Sequence, residues 1–177
     1  MIFFILLLLF GWIVYRIVTP KPCEFEHLKT DNGIKPISTA YSNYYGGFRD
    51  ISAKNTPNII FYMFKDKVRI VIHLRGKFID AIDFCPEDIL SISYMNEREL
   101  TENISLGRIL VFGWLGLAMK KKKEINREYI VLRCIYEDKK IDVVLNSDES
   151  LNNNKKCFET LNNYITEYKN RNKTIEV

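Results

Sequence analysis

Residues 58–74 read NIIFYMFKDKVRIVIHL, two runs of β-type residues on either side of Lys65-Asp66-Lys67. Branched and aromatic side chains dominate 58–64 and 68–74, and such residues fit the pleated surface of a sheet. A short polar turn between two such runs is typical of a β-hairpin. The sequence therefore predicts an antiparallel pair of strands here.

Further strands follow on both sides of this hairpin. Segment 88–94, DILSISY, alternates, with Leu90, Ile92 and Tyr94 on one face and serines on the other. The other predicted strands are 46–51 (GGFRDI), 77–84 (KFIDAIDF, after an Arg75-Gly76 turn), and 129–136 with 141–145, a second hairpin around 137–140. These patterns predict about seven short strands.

The carboxyl-terminal part changes to a helical period. One helical face carries Leu151, Phe158, Leu161, Ile165 and Tyr168, with Cys157 and Tyr164 beside it, and Ser147, Asp148 and Ser150 are candidate caps before it. Strands followed by one amphipathic helix indicate the α+β class, an antiparallel roll or barrel closed by a helix.

The amino-terminal run 1–15, MIFFILLLLFGWIVY, has no charged side chain. Residues 1–19 reach the length of a transmembrane helix if Arg16 extends to the headgroups, with Trp12 and Tyr15 as interface anchors. A cleaved signal peptide is the alternative, but it needs a basic start and a small-residue cleavage site, and the run offers neither. A buried core helix is the third reading.

Orientation follows from the basic residues beside this run. Arg16 and Lys21 come after it and no basic residue precedes it, so the positive-inside rule predicts a single-pass cell-membrane protein with its carboxyl-terminal domain in the cytoplasm. Four irregularly spaced cysteines agree with a reducing compartment. The expected organisation is an anchor at 1–19, a Pro-containing tether at 20–43, a domain at 44–171 and a tail at 172–177.

Two segments resemble a known family. Residues 105–123, SLGRILVFGWLGLAMKKKK, precede the predicted strand REYIVLRC, and CPEDILSISY lies upstream. This order resembles small bacterial pleckstrin-homology-like (PH-like) domain proteins. The resemblance covers about 44–171 and implies an antiparallel roll plugged by a carboxyl-terminal helix. It also implies a binding or assembly module.

The net charge is concentrated in one segment. Residues 105–128 hold six basic and two acidic side chains, a net of +4, and the rest of the chain holds 20 of each. The candidate lipid- or partner-binding residues are Arg108, Trp114, Lys120, Lys121, Lys122, Lys123 and Arg127. One interpretation is a buried strand or helix at 109–119 with solvated lysines. The other is an interfacial element whose lysines meet anionic headgroups.

Catalytic signatures are missing from the sequence. It has no GxSxG, HExxH, CxxC or P-loop pattern, and two histidines make a multi-His metal site improbable. We therefore predict a non-enzymatic module without cofactor or metal, whose partners are the bilayer and an unidentified protein or a second copy. The short basic run argues against nucleic acid. The alternative is an enzyme whose site joins His73, Asp80 and Asp83, although strand alternation separates Asp80 from Asp83.

Overall fold

The computed structural model describes residues 25–53, 55–103, 128–146 and 152–175. The strands are β1 (Ser38–Gly46), β2 (Asn58–Met63), β3 (Val68–Leu74), β4 (Lys77–Phe84), β5 (Ile89–Asn96), β6 (Glu128–Tyr136) and β7 (Lys139–Leu145). The helices are α1 (Glu97–Asn103) and α2 (Asn152–Ile175), and 3₁₀ turns lie at Glu26–Lys29 and Pro86–Asp88.

The strands form one antiparallel sheet of seven strands in the order β4-β3-β2-β1-β7-β6-β5. The sheet curls, because Phe84 at the end of β4 and Ile89 at the start of β5 enter the same core although their strands are its two edges. That core fills the inner face, where α2 packs across β1. The predicted α+β class, with strands followed by a closing helix, is confirmed.

Both predicted hairpins form, as β2–β3 and β6–β7, and residues 64–67 connect the first pair. Two turns in the sheet are tighter. In the β3–β4 turn, Arg75 and Gly76 have φ values of 51° and 81°, and in the β6–β7 turn Glu137 and Asp138 have 49° and 59°. Two successive residues with positive φ are the mark of a two-residue type I′ turn, whose twist matches that of the strands. The predicted four-residue turn at 137–140 is therefore too long, and β7 begins at Lys139.

The start of the domain differs from the prediction. Strand β1 begins at Ser38, inside the predicted tether, and the predicted strand 46–51 is a loop after Gly46. The sequence of β1 carries a weak strand signal. Its inward positions Ala40 and Ser42 are small, and only Tyr44 brings a large side chain to the core. Because apolar and polar residues alternate so little, the pattern predicts a loop.

Gly47 lets β1 bend as it meets β7. Its φ is +131°, and a Cβ there would lie 2.6 Å from the carbonyl oxygen of Asp142. The β1–β7 register also shifts between Tyr44 and Gly46. The glycine pair Gly46-Gly47 therefore forms a bend at the end of β1.

Helix α1 was not anticipated, although its start carries a local signal. The side chain of Asn96 accepts a hydrogen bond from the amide of Glu99, and the Glu99 carboxylate accepts one from the amide of Asn96, each at 2.9 Å. This is a reciprocal capping box with Asn as the cap. Leu100 then packs with Tyr129 and Val131 on the outer face of the sheet.

Helix α2 buries the predicted face. Cys157, Leu161, Tyr164 and Ile165 are buried and Phe158 packs against them, whereas Leu151 and the candidate caps Ser147, Asp148 and Ser150 lie outside the described residues. The Tyr164 hydroxyl donates to the Phe64 carbonyl at 2.7 Å, which joins the helix to the end of β2. The helix continues to Ile175, so most of the predicted tail 172–177 is helical.

An amino-terminal segment covers the outer face of β2 and β3. Phe25 and Leu28 pack on Ile60, Tyr62 and Val71. Burial of this apolar surface contributes to folding just as the inner core does. The residues from Phe25 onward are therefore part of the domain, which begins well before the predicted boundary at 44.

Candidate functional site

The predicted binding residues lie outside the part of the chain that the structure describes. These are Arg108, Trp114, Lys120, Lys121, Lys122, Lys123 and Arg127, together with the anchor residues Trp12, Tyr15 and Arg16 and the whole of 1–19. The described residues that border the basic segment are Asn103, at the end of α1, and Glu128, which is the last residue of the segment and the first of β6.

Glu128, the last residue of the basic segment, is held in the sheet by several contacts. It pairs with Asn96 in the sheet, and its carboxylate accepts a hydrogen bond from the Tyr94 hydroxyl. Burial, with Glu128 as a further cause, raises the pKa of Tyr94 to about 12, so the phenol keeps its proton. The backbone carbonyl of Glu128 also accepts a hydrogen bond from the Asn154 amide at 2.7 Å. The carboxyl-terminal end of the basic segment is therefore held by strand pairing and by two side-chain hydrogen bonds.

Asp83, a candidate of the enzyme alternative, is held in an ion-pair cluster. Nε of Arg69 donates to its Oδ1 at 2.7 Å and Nη2 donates to its Oδ2 at 2.9 Å, while Lys67 lies 3.2 Å away. The hydrogen bonds from Arg69 are the main reason that the pKa of Asp83 is lowered. A carboxylate with a lowered pKa is a weak base at neutral pH.

The same arginine fastens the amino-terminal segment to the sheet. Nη1 of Arg69 donates to the carbonyls of Leu28 and Thr30 at 3.3 and 3.1 Å, and Nη2 donates to Asp31 at 3.0 Å. Lys67 contacts Asp31 at 2.9 Å and is the main cause of its lowered pKa. We call Asp31, Lys67, Arg69 and Asp83 the Arg69 cluster. The hydrogen bonds of this cluster join the amino-terminal segment to strands β3 and β4.

His73 is packed under an aromatic ring. Its ring is stacked on Phe25 with a centroid distance of 4.6 Å, and its buried Nδ1 has no hydrogen-bond partner among the described residues. Burial lowers the pKa of His73, so the imidazole is neutral at pH 7. His73 lies within β3, and nothing in the local sequence signals the unsatisfied nitrogen.

The three residues of the enzyme alternative do not meet. Asp83 pairs with Arg69 across the strands and Asp80 pairs with Ile72. An odd spacing of three therefore leaves the two carboxylates on opposite faces, as predicted. His73 lies four residues from Arg69 along β3, about 13 Å at the usual rise per residue. Within the described ranges, no group of histidine, cysteine and acidic residues could hold a metal ion.

An exposed apolar pair, which the sequence analysis did not single out, lies at the tip of the β3–β4 hairpin. Ile72 pairs with Asp80 and His73 with Phe78, so the register shifts and Ile79 is the extra residue of a β-bulge. Phe78 and Ile79 are 42% and 41% exposed. The signal in the sequence is the broken alternation of KFIDAIDF, where two large apolar residues are adjacent.

Comparisons with known proteins give no relative. No family model matches the sequence, and neither a curated protein nor a solved structure matches it. Among the helices that the structure describes, none is long and apolar enough to cross a membrane.

Proposed function

We propose that this protein is a membrane-anchored, non-enzymatic binding or assembly module with a PH-like domain at the cytoplasmic face. The observation that carries the proposal is the strand order β4-β3-β2-β1-β7-β6-β5, with α2 across the inner face. This order supports the PH-like assignment because the resemblance in the sequence implies antiparallel strands closed by a carboxyl-terminal helix.

The non-enzymatic part rests on how the ionisable side chains are used. Asp83 is bound by Arg69 and Lys67, and His73 lies under Phe25. Each of these groups serves the attachment of the amino-terminal segment to the sheet. A catalytic acid or base instead needs access to a substrate within hydrogen-bond reach.

The membrane part rests on residues 1–19, whose first 15 residues are apolar without a charge and which reach the length of a span if Arg16 extends to the headgroups. Since Phe25 already packs in the domain, only 20–24 lie between it and the proposed anchor. Five residues span at most about 17 Å when fully extended. A domain held that close meets the surface repeatedly, so weak contacts become populated.

The basic segment supplies the proposed ligand contacts. The four ammonium groups of Lys120, Lys121, Lys122 and Lys123 cannot enter a core, because burying unpaired charges is prohibitive. They are available to anionic headgroups or to an acidic protein surface. Each basic side chain near an anionic leaflet contributes about 1 kcal/mol, so the contact is modest and salt-sensitive.

Flotation with vesicles tests this function. Fragment 25–177, first checked for a cooperative melting transition, is mixed with vesicles of phosphatidylcholine containing increasing phosphatidylglycerol. Binding should rise with the anionic fraction and fall with added salt, since salt screens exposed charges over about 8–10 Å. Replacing Lys120, Lys121, Lys122 and Lys123 with glutamine should abolish it.

A charge-matched variant separates a local site from net charge. Replacing Lys65, Lys139, Lys140 and Lys156, all exposed, removes the same four charges from elsewhere on the domain. This control should keep most of the binding. If both variants lose it equally, the lysine run is not a defined site. If the unmodified fragment ignores anionic vesicles at low salt, lipid is not the ligand of this segment and the proposal is wrong in that part.

A further inference from the structure

The β3–β4 hairpin tip, residues 75–79, has the composition of a membrane-contacting loop. Its sequence RGKFI joins two basic side chains to two apolar ones, and all five residues are exposed. Exposed aromatic and aliphatic side chains next to cations suit the boundary between headgroups and acyl chains. In a domain without a partner such a combination is costly, because it leaves apolar surface in water.

The bulge is what presents both apolar side chains. In a regular strand, neighbouring residues point to opposite faces, and one of Phe78 and Ile79 would enter the core. Here Phe78 pairs with His73, Ile79 is the extra residue before the Ile72–Asp80 pair, and both side chains remain about two-fifths exposed. Bulges at sheet edges re-aim side chains in this way, and β4 is an edge strand.

The direction in which residues 25–37 run along β3 indicates which end of the domain is nearest in sequence to the proposed anchor at 1–19. Phe25 stacks on His73, beside the last rungs of the hairpin, and the chain then runs down β3 so that Thr30 and Asp31 reach Arg69. Ile37 follows at the far end, bonded to the Met63 carbonyl. Phe25, where the described chain begins, therefore lies at the hairpin-tip end of the outer face.

Acidic residues near this end are divided between the two sides of the sheet. Tyr136 packs on Phe48 and Phe84 in the inner core, and its pKa is raised by burial and then by Glu137, Asp80 and Asp50. On the outer segment, Glu26 is exposed next to Phe25. The outer side of the tip keeps Arg75 and Lys77 beside the exposed apolar pair, which is the sign that an anionic surface needs.

We propose that the β3–β4 tip docks on the anionic leaflet beside the anchor, with Phe78 and Ile79 entering the interface and Arg75 and Lys77 meeting headgroups. This rests on the proposed anchoring of residues 1–19. The occupant is a lipid surface because Phe25 lies at this end of the domain, the sequence before it is apolar over 1–15, and only 20–24 lie between Phe25 and the proposed anchor. The domain is thereby oriented with its outer face toward the bilayer.

An environment-sensitive probe in the full chain tests the docking. Cys23 and Cys85 are changed to serine, and Ile79→Cys is labelled with a nitrobenzoxadiazole dye. Cys134 and Cys157 stay unlabelled because burial raises the pKa of each thiol to about 12. The matched control is Ile37→Cys, another exposed isoleucine, about 17 Å away along β3 at the usual rise per residue.

In vesicles that contain phosphatidylglycerol, the probe at residue 79 should brighten and be quenched by spin-labelled lipid, and the probe at residue 37 should stay quenchable by aqueous iodide. Arg75→Gln with Lys77→Gln should weaken docking roughly 25-fold, about fivefold for each basic side chain. The effect should be absent in pure phosphatidylcholine.

The outcomes separate this inference from the anchor. A chain that floats with the vesicles while residue 79 stays in water is anchored but not docked, which overturns the inference alone. Lipid quenching at residue 37 but not at residue 79 means that the opposite end docks, and it also overturns the inference. A chain that remains in the aqueous fraction contradicts both the anchor and the docking.

Discussion

Arg69 joins three parts of the chain with one guanidinium. It binds Asp83 on β4 through two nitrogens, holds the carbonyls of Leu28 and Thr30, and lies 5.5 Å from the centre of the Phe64 ring. Its side chain is only 12% exposed, so water screens these contacts less than it screens ordinary surface pairs. The Arg69 cluster therefore determines whether the amino-terminal segment stays on the sheet.

Arg69→Met should cost roughly 1–3 kcal/mol, because several charged hydrogen bonds are lost while Lys67 still neutralises part of the cluster. Urea unfolding measures the loss, and hydrogen exchange should show faster exchange at 25–34 than elsewhere. The control is Arg98→Met, which removes an exposed pair with Glu102 and should change stability by less than about 0.5 kcal/mol. Equal effects of the two variants would argue against the cluster's structural role.

His73 should give the domain a weakness at mildly acidic pH. Burial lowers the pKa of His73 in the folded state, so the unfolded chain takes up the proton at a higher pH. Above the unfolded pKa of about 6.5, His73 is uncharged in both states and adds no pH dependence to the free energy of unfolding. As the pH drops below that value, the free energy of unfolding falls. The low pKa values of Asp31 and Asp83 act in a separate window, because they contribute above about 4 and are lost only below it.

His73→Phe should flatten the pH dependence between about 6.5 and 5 and keep the stacking on Phe25. It also removes the buried Nδ1 that lacks a partner among the described residues, so stability at pH 7 should not fall. Urea midpoints at the two pH values measure this. A slope that survives His73→Phe would mean that another group titrates in this window.

At the scale of elements, α2 is the plug of the roll. Leu161 is fully buried in the inner core, and Ile165 lies one turn further on. Leu161→Ala should cost about 2–5 kcal/mol, because it removes buried methyl groups and leaves a cavity. Asn163→Ala, on the exposed face of the same helix, should change stability by less than about 0.5 kcal/mol. Thermal melts of both variants measure the difference, and an unchanged melting temperature for Leu161→Ala would contradict the packing.

The elements that the sequence predicted are those whose pattern was strong and local. β2, β3 and the β6–β7 hairpin combine apolar runs with short polar turns, and α2 has a clear apolar stripe. β1 was missed because Ala40 and Ser42 give it little apolar signal, and its partners β2 and β7 come later in the chain. Pairing with distant strands, not local propensity, makes it a strand.

The candidate site could be predicted only in part. Separation of Asp80 from Asp83 follows from the period of a strand, so it was accessible from sequence. The Arg69 cluster was not, because Asp31 and Asp83 meet Arg69 only after the amino-terminal segment has folded back over β3. The bulge at Ile79 depends likewise on the register with β3. Such contacts between distant residues leave no local pattern.

At the scale of the whole molecule, the folded domain includes the outer segment from Phe25 onward. Fragment 25–177 should melt cooperatively, whereas fragment 44–177 lacks most of β1 and the cover over Ile60, Tyr62 and Val71. Loss of a central strand opens the sheet, so the shorter fragment should show no cooperative transition. Circular dichroism during heating distinguishes the two. Similar transitions in both fragments would show that the outer segment and the greater part of β1 are dispensable.

The fold and the anchor together define an orientation. Residues 20–24 lie between the proposed anchor at 1–19 and Phe25, which is at the β3–β4 end of the domain. On the proposed anchoring, that end would lie next to the bilayer, and the face of α2 that is turned away from the core would be open to a protein partner or a second copy. The proposed function depends above all on the anchor and on the side of the membrane where the domain lies.

Labelling of Cys85 in whole cells tests both the proposed anchor and the proposed cytoplasmic position of the domain. Cys85 is an exposed free thiol, Cys134 and Cys157 are buried, and Cys23 is replaced by serine. The chain should remain in the membrane fraction after alkaline washing, and a membrane-impermeant maleimide should label it only once the cells have been permeabilised. Labelling in intact cells, or release of the chain by the alkaline wash, would contradict an anchored domain at the cytoplasmic face.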